Sequence, residues 1–228
     1  MPLLLLDAID AALEERNMLK HPFYRAWNQG ALTRKMLQDY ACQYYHFVKE
    51  FPRMVSAVHS NTPVYSIRLE LLQNLMDEEL GSENHPALWM RFANAVGAAT
   101  DEVLLVNPLP ETRALVDTMM DICRNGSFQE GIAALHAYEA QIPEVSRVKI
   151  QGLKEFYGIS EPEAVKFFSV HEEADVHHSR SEREMLRQSA LAELQSKVYQ
   201  ATVRTAQALW KFLDGVHDTY VVGKAMAS

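Results

Sequence analysis

The chain of 228 residues is long enough to bury a sizeable core, and its 48% hydrophobic and 23% charged residues describe an ordinary globular protein. Thirty acidic against 22 basic residues give a net charge of −8 with no basic block, which argues against a nucleic-acid binder. No apolar run approaches the roughly 20 residues of a membrane span, MPLLLLDAID lacks the basic start of a signal peptide, and two cysteines, Cys42 and Cys123, make no disulfide framework, so a cytoplasmic protein is expected.

Helical periodicity dominates, and no convincing period-2 strand is found. A first helix is read over about Leu4 to Met18, followed by the connector HPFYRAWNQG closed by Gly30. Thr33 caps a second helix with an inward row of Leu37, Tyr40, Tyr44 and Phe47. Pro52 allows a kink or break before a short helix to His59, and Asn61 to Pro63 form a turn. The next helix stops near Gly81. Asn84 caps a helix running to Val96, Thr100 caps a short segment, and NPLPET is a loop.

A helix over about Glu111 to Arg124 stops at Asn125-Gly126. Ser127 and Glu130 form a capping box for a long helix that Pro143 should kink without ending. Ser160 and Glu163 form a second capping box, and a last helix covers about Leu191 to Val216. With no linker and no internal repeat, residues 1–228 read as one all-α domain, a bundle of about seven to eight helices.

One helical row conflicts with its surroundings. Ala164, Phe167, His171, Asp175, His178 and Met185 share a face that begins and ends apolar, yet its middle carries two imidazoles and a carboxylate. Burying them is costly unless something compensates them. Other helices offer partners. The row Val64, Ile67, Leu71, Leu75 arrives at Glu78, while Tyr65, Leu69, Leu72, Met76 arrives at Glu79, and periodicity does not choose between them. His85 follows across the Gly81 break. The row Ile132, Leu135, Glu139, Ile142 sets another carboxylate among aliphatics beside Tyr138.

Three carboxylates and three histidines exceed what one divalent ion needs, whereas two ions sharing them is a recurring solution in helical bundles. Their charges, −3 against +4, leave about +1, which a bridging hydroxide meets. Mixed imidazole and carboxylate ligands favour iron or manganese over structural zinc. His171 and His178 lie roughly 10 Å apart along the helix axis and should approach the cluster from opposite ends, with Asp175 between them. His177 points off the shared face, His136 is a competing ligand, and Glu172 and Glu173 belong to a solvated face.

The segments HPFY, YYHFVKEFP, NLMDEE, YEAQIP and HEEADVHH together resemble the CADD-like branch of the PqqC/TenA superfamily, over about Asn17 to Gly215. The resemblance implies a haem-oxygenase-like all-α fold and a dinuclear iron or iron–manganese centre. Its ligands would be Glu78, His85, Glu139, His171, Asp175 and His178, which selects Glu78 over Glu79. It implies para-aminobenzoate formation for folate synthesis with O₂ and an external reductant. The protein's own Tyr24 would be the source of the ring, Tyr40 and Tyr138 nearby redox-active aromatics, and Lys149 the amino donor. It also implies a homodimer and an electron donor; charge and hydropathy had already set aside nucleic acid and membrane as partners.

Four alternatives carry their own signals. A pyrroloquinoline-quinone-synthase-like oxidase would not need the six ligands. A thiaminase-like hydrolase would need Cys42 or Cys123 as nucleophile. A haem oxygenase would use His21 as axial ligand but leave the carboxylates unexplained. A protein-interaction role with death domains would need no buried ligands at all.

Overall fold

A computed structural model describes residues 2–189 and 191–223, with nothing said of the side chains of residues 2, 3 and 173. The expected solvent exposure of Glu173 therefore lies outside the described residues, while Glu172 is half-buried and His177 is exposed. The helices are α1 (Pro2–Glu15), α2 (Pro22–Asn28), α3 (Arg34–Val48), α4 (Phe51–Asn61), α5 (Tyr65–Glu79), α6 (His85–Ala95), α7 (Thr100–Leu105), α8 (Pro110–Asn125), α9 (Phe128–Glu139), α10 (Ile142–Phe156), α11 (Pro162–Ser189) and α12 (Gln195–Val216). No β-strand occurs among the described residues, so the all-α expectation holds. The expected seven to eight helices become ten of eleven residues or more, plus the short α2 and α7.

The extra helices have local causes. HPFYRAWNQG is a helix rather than a connector: the His21 imidazole accepts from the Phe23 amide as N-cap, and Pro22 preorganises the first turn. The long segment around Pro143 is broken, not kinked. A proline at 143 donates no N–H and its ring would strike the carbonyl of residue 139, so α9 ends at Glu139 and α10 restarts at Ile142. Gln141 fills the gap, its amide donating to the Ala137 carbonyl and accepting from the Met18 amide, each at 2.9 Å.

The caps at Thr33, Asn84 and Ser127 form as expected. The Ser160–Glu163 box does not: α11 begins at Pro162, and Glu163 pairs with Arg91 at 2.6 Å. Thr100 is the first helical residue rather than the cap, which falls on Ala99.

Helix α9 is the centre of the bundle. From Gly131 to Glu139 every side chain is buried, because the helix is flanked by α4, α8, α11 and α12. Small residues permit this; a Cβ on Gly131 would lie 2.6 Å from a methyl of Val58 on α4. On α3 the expected inward row Leu37, Tyr40, Tyr44, Phe47 is buried throughout. On α5 the buried line is Ile67, Leu71, Asn74, Glu78, while Val64 is exposed and Leu75 only half-buried. No described helix is long and apolar enough to cross a membrane.

Candidate metal centre

The six carboxylate and imidazole side chains converge as two buried triads. Glu78, His85 and His171 form one, and Glu139, Asp175 and His178 the other; within each, one potential ligand atom per residue lies within 4.8 Å of the others. The elements explain the grouping. Helix α11 spans both triads, offering His171 to the first and Asp175 with His178 to the second. Glu78 comes from the last turn of α5 and His85 from the first residue of α6, so the Gly81 turn between them folds both onto one triad. Glu139, the last residue of α9, faces the second. The two α11 histidines do serve opposite ends, with Asp175 on the His178 side. The burial of Glu78 and exposure of Glu79 resolve the choice that periodicity left open.

The side chains are oriented for electron-pair donation. His171 Nδ1 lies 2.6 Å from the Phe167 carbonyl, which places its proton there and frees Nε2. His178 Nε2 lies 3.1 Å from Asp77, leaving Nδ1 at 3.4 Å from Asp175 and 3.8 Å from Glu139. His85 Nδ1 approaches Glu78 to 2.7 Å without hydrogen-bond geometry. Both nitrogens of His85, both oxygens of Asp175, Glu139 Oε2 and His178 Nδ1 are buried with no hydrogen-bond partner. Such a set is expensive as it stands and is satisfied by divalent cations. The donor chemistry, three carboxylates and three imidazoles, fits two such ions.

Burial, and then the neighbouring His85, holds the His171 imidazole well below its usual range. Burial also pushes the Asp175 carboxyl upward, reinforced by the charges of Glu139 and Glu78. His178 is desolvated too, but Asp175 and Glu139 overcome that and raise it to about 9.

Beside the triads lies a closed aromatic box around one amine. Lys149 on α10 is buried, its Nζ donating to the Tyr40 hydroxyl at 2.5 Å. The ammonium position is 4.9–5.9 Å from the ring centroids of Tyr24, Trp27, Tyr40, Tyr44, Trp89 and Phe168. Burial pushes this amine well below the ordinary lysine range, so it tends to the neutral, nucleophilic form. Tyr24 is buried, its phenol raised by burial and partly offset by a hydrogen bond with Tyr40. Tyr138, next to Glu139 in the chain, feels the charges of Asp175 and Glu78 and takes a 2.8 Å hydrogen bond from Tyr44. All ten residues singled out in the sequence therefore meet in one continuous buried region.

Four participants were missed. Asn74 donates to Glu139 at 2.9 Å, and its signal was present, since Ile67, Leu71, Asn74 and Glu78 are spaced four, three and four. Glu182 is 1% exposed with neither oxygen in a hydrogen bond, four residues beyond His178 on the same row. His136, read as a competing ligand, instead sits 3.6 Å from Glu182 and outside both triads. Asp77 was hidden beside Glu78, and Tyr44 looked like plain core.

The alternatives fit the geometry poorly. His21 has both ring nitrogens engaged, one by the Phe23 amide and one by Asp214 at 3.0 Å, leaving none for haem. Burial raises the Cys42 thiol to about 11 and the Cys123 thiol to about 12, the wrong direction for nucleophiles.

Comparison with known proteins agrees with this geometry. Residues 38–210 match a family described as iron-containing redox enzymes. A 4-aminobenzoate synthase of Nitrosomonas europaea is 48% identical, covering 93% of this chain and 90% of its own length. One from Chlamydia trachomatis is 42% identical, over 93% and 92%. A pyrroloquinoline-quinone synthase of Granulibacter bethesdensis is 29% identical, over 94% and 87%. Among solved structures, a TenA homologue of Pseudomonas syringae superposes with a TM-score of 0.82 at 18% identity, over 95% of this chain and 92% of that one. A CADD-like protein of Nostoc punctiforme gives 0.75 at 17%, over 93% and 98%.

Proposed function

This chain belongs to the family of iron-containing redox enzymes, and from that premise we propose that it is a 4-aminobenzoate synthase that consumes its own side chains. The observation that carries the reading is the junction of two orphaned ligand triads with a sealed tyrosine–lysine box. Glu78, His85 and His171 would hold one ion and Glu139, Asp175 and His178 the other. The bound pair, iron with iron or iron with manganese, supplies oxidation by O₂ with electrons from an external donor.

The remaining work falls to the chain's own groups. Tyr138 stands at the metal side and Tyr40 inside the box, where both can pass oxidising equivalents. Tyr24, enclosed away from water, supplies the aromatic ring. Lys149, its proton affinity lowered by burial and its amine held by Tyr40, supplies the nitrogen. The box excludes solvent from a reactive ring, and the packed aromatic side chains confine the amine beside it. From the resemblance comes a homodimer, and from the two unpaired buried cysteines a cytoplasmic location.

The test is mass spectrometry of the iron-loaded protein after O₂ and reductant, with rescue of a 4-aminobenzoate auxotroph alongside. A mass loss at Tyr24, a change at Lys149 and released 4-aminobenzoate are expected. Rescue by Tyr24→Phe at the wild-type level would sink the self-consumption reading.

A further inference from the structure

Tyr44 has no role in the scheme above, yet it is the physical link between its two halves. Its hydroxyl donates to the Tyr138 hydroxyl at 2.8 Å. Its ring stacks on Tyr40, with centroids 5.6 Å apart and planes at 22°. Tyr40 in turn holds Lys149. Between Tyr138 at the metal side and Tyr40 in the box, Tyr44 is thus in direct contact with both.

We propose that Tyr44 is a radical relay residue that re-reduces Tyr138 and carries the oxidising equivalent onto its own ring, which itself faces Lys149 in the box at 5.2 Å. The inference rests on the proposed function, in which a bound metal pair with O₂ would supply the oxidant and Tyr138 would be the first residue oxidised, to its phenoxyl radical. In the step itself, the Tyr138 radical takes one electron from Tyr44 and the phenolic proton of Tyr44 through the 2.8 Å bond. The Tyr44 O–H bond breaks and the Tyr138 O–H bond forms. Tyr138 is reduced by one electron, Tyr44 is oxidised by one, and no charge is created. That neutrality matters because both side chains are buried, and moving the electron alone would leave a charged pair without solvent. Once Tyr138 has lost its hydrogen, the Tyr44 hydroxyl is the one that carries a proton across the 2.8 Å contact.

Tyr44→Phe keeps the ring, which packs on Phe47, Trp89 and Phe212 as well as Tyr40, and removes the hydroxyl that bonds Tyr138. The experiment uses full-length protein loaded with iron, reduced and mixed with O₂, with electron paramagnetic resonance and mass spectrometry read on the same samples. In Tyr44→Phe the metal content should equal wild type, a tyrosyl radical should persist at Tyr138, and loss of mass at Tyr24 should slow roughly tenfold or more. Replacing Tyr44 with the more easily oxidised 3-aminotyrosine should instead trap the spin there, with an aminotyrosyl signal. A Tyr44→Phe protein that consumes Tyr24 at the wild-type rate, or no aminotyrosyl signal while Tyr24 is still consumed, overturns the relay. If wild-type protein itself shows neither radical nor mass loss, the functional reading fails first and the relay with it.

Discussion

Lys149 shows most directly how a single residue trades stability for chemistry. Its amine sits among six aromatic rings with only a tyrosine hydroxyl for company, and burial lowers its affinity for a proton. Because the folded-state pKa lies below that of the unfolded chain, the unfolded chain binds more protons between the two values. Stability therefore rises with pH across that window; the penalty is fully present below the folded pKa and disappears as the unfolded pKa is passed. Lys149→Met should remove this slope. At neutral pH it should stabilise the protein by about 1–3 kcal/mol, while abolishing 4-aminobenzoate formation. Urea unfolding at several pH values checks the first part and auxotroph rescue the second. A variant less stable than wild type at neutral pH would show that the Tyr40 contact outweighs the desolvation.

At the scale of elements, the close approach of α9 to α4 sets the depth at which Glu139 enters the core. Gly131 makes that approach possible, since an added Cβ would overlap Val58 at 2.6 Å. Gly131→Ala should cost about 1–3 kcal/mol despite the better helix propensity of alanine. Val58→Ala alone should also destabilise by leaving a cavity, but the double variant should recover part of the Gly131→Ala loss. Chemical denaturation of all four proteins gives the coupling, and additive losses would show that the two helices adjust independently.

The same helices explain what could be read in advance. On α11 and α3 one face is buried, so the rows through His171 and Tyr40 stood out at helical spacing. On α9 nearly every face is buried, so periodicity had nothing to say about Glu139; its signal was a carboxylate among aliphatics. Glu78 could be separated from Glu79 only by the family resemblance, and burial later gave the same answer. Which ligands share an ion depends on where α5, α6 and α9 meet α11, a tertiary fact absent from local pattern. The break before Pro143 escaped notice for the opposite reason: the proline was seen, but not the Gln141 side chain that makes a clean interruption tolerable.

For the whole molecule, the two triads place part of the cost of folding on groups that bound metal would satisfy. Glu78, Glu139 and Asp175 are buried, yet within the triads their only close cationic partners are imidazoles, one of which, His171, is itself held neutral. An ion that binds the native triads and not the unfolded chain stabilises by mass action, about 2.7 kcal/mol per site at a hundredfold excess over its dissociation constant. For a chain of this size each kcal/mol corresponds to roughly 2–4 °C in the unfolding midpoint. Anaerobic addition of ferrous iron to metal-free protein should therefore raise the midpoint by roughly 5–10 °C per site. Saturation should come near two ions per chain, and a strong chelator should reverse the shift. Because Asp175 and His178 share α11 with His171, filling one triad should favour filling of the other. Asp175→Ala should then lower metal content by more than one equivalent. Calorimetry with metal analysis on the same samples decides it; an unmoved midpoint with protein that takes up no iron would remove the metal centre and everything built on it.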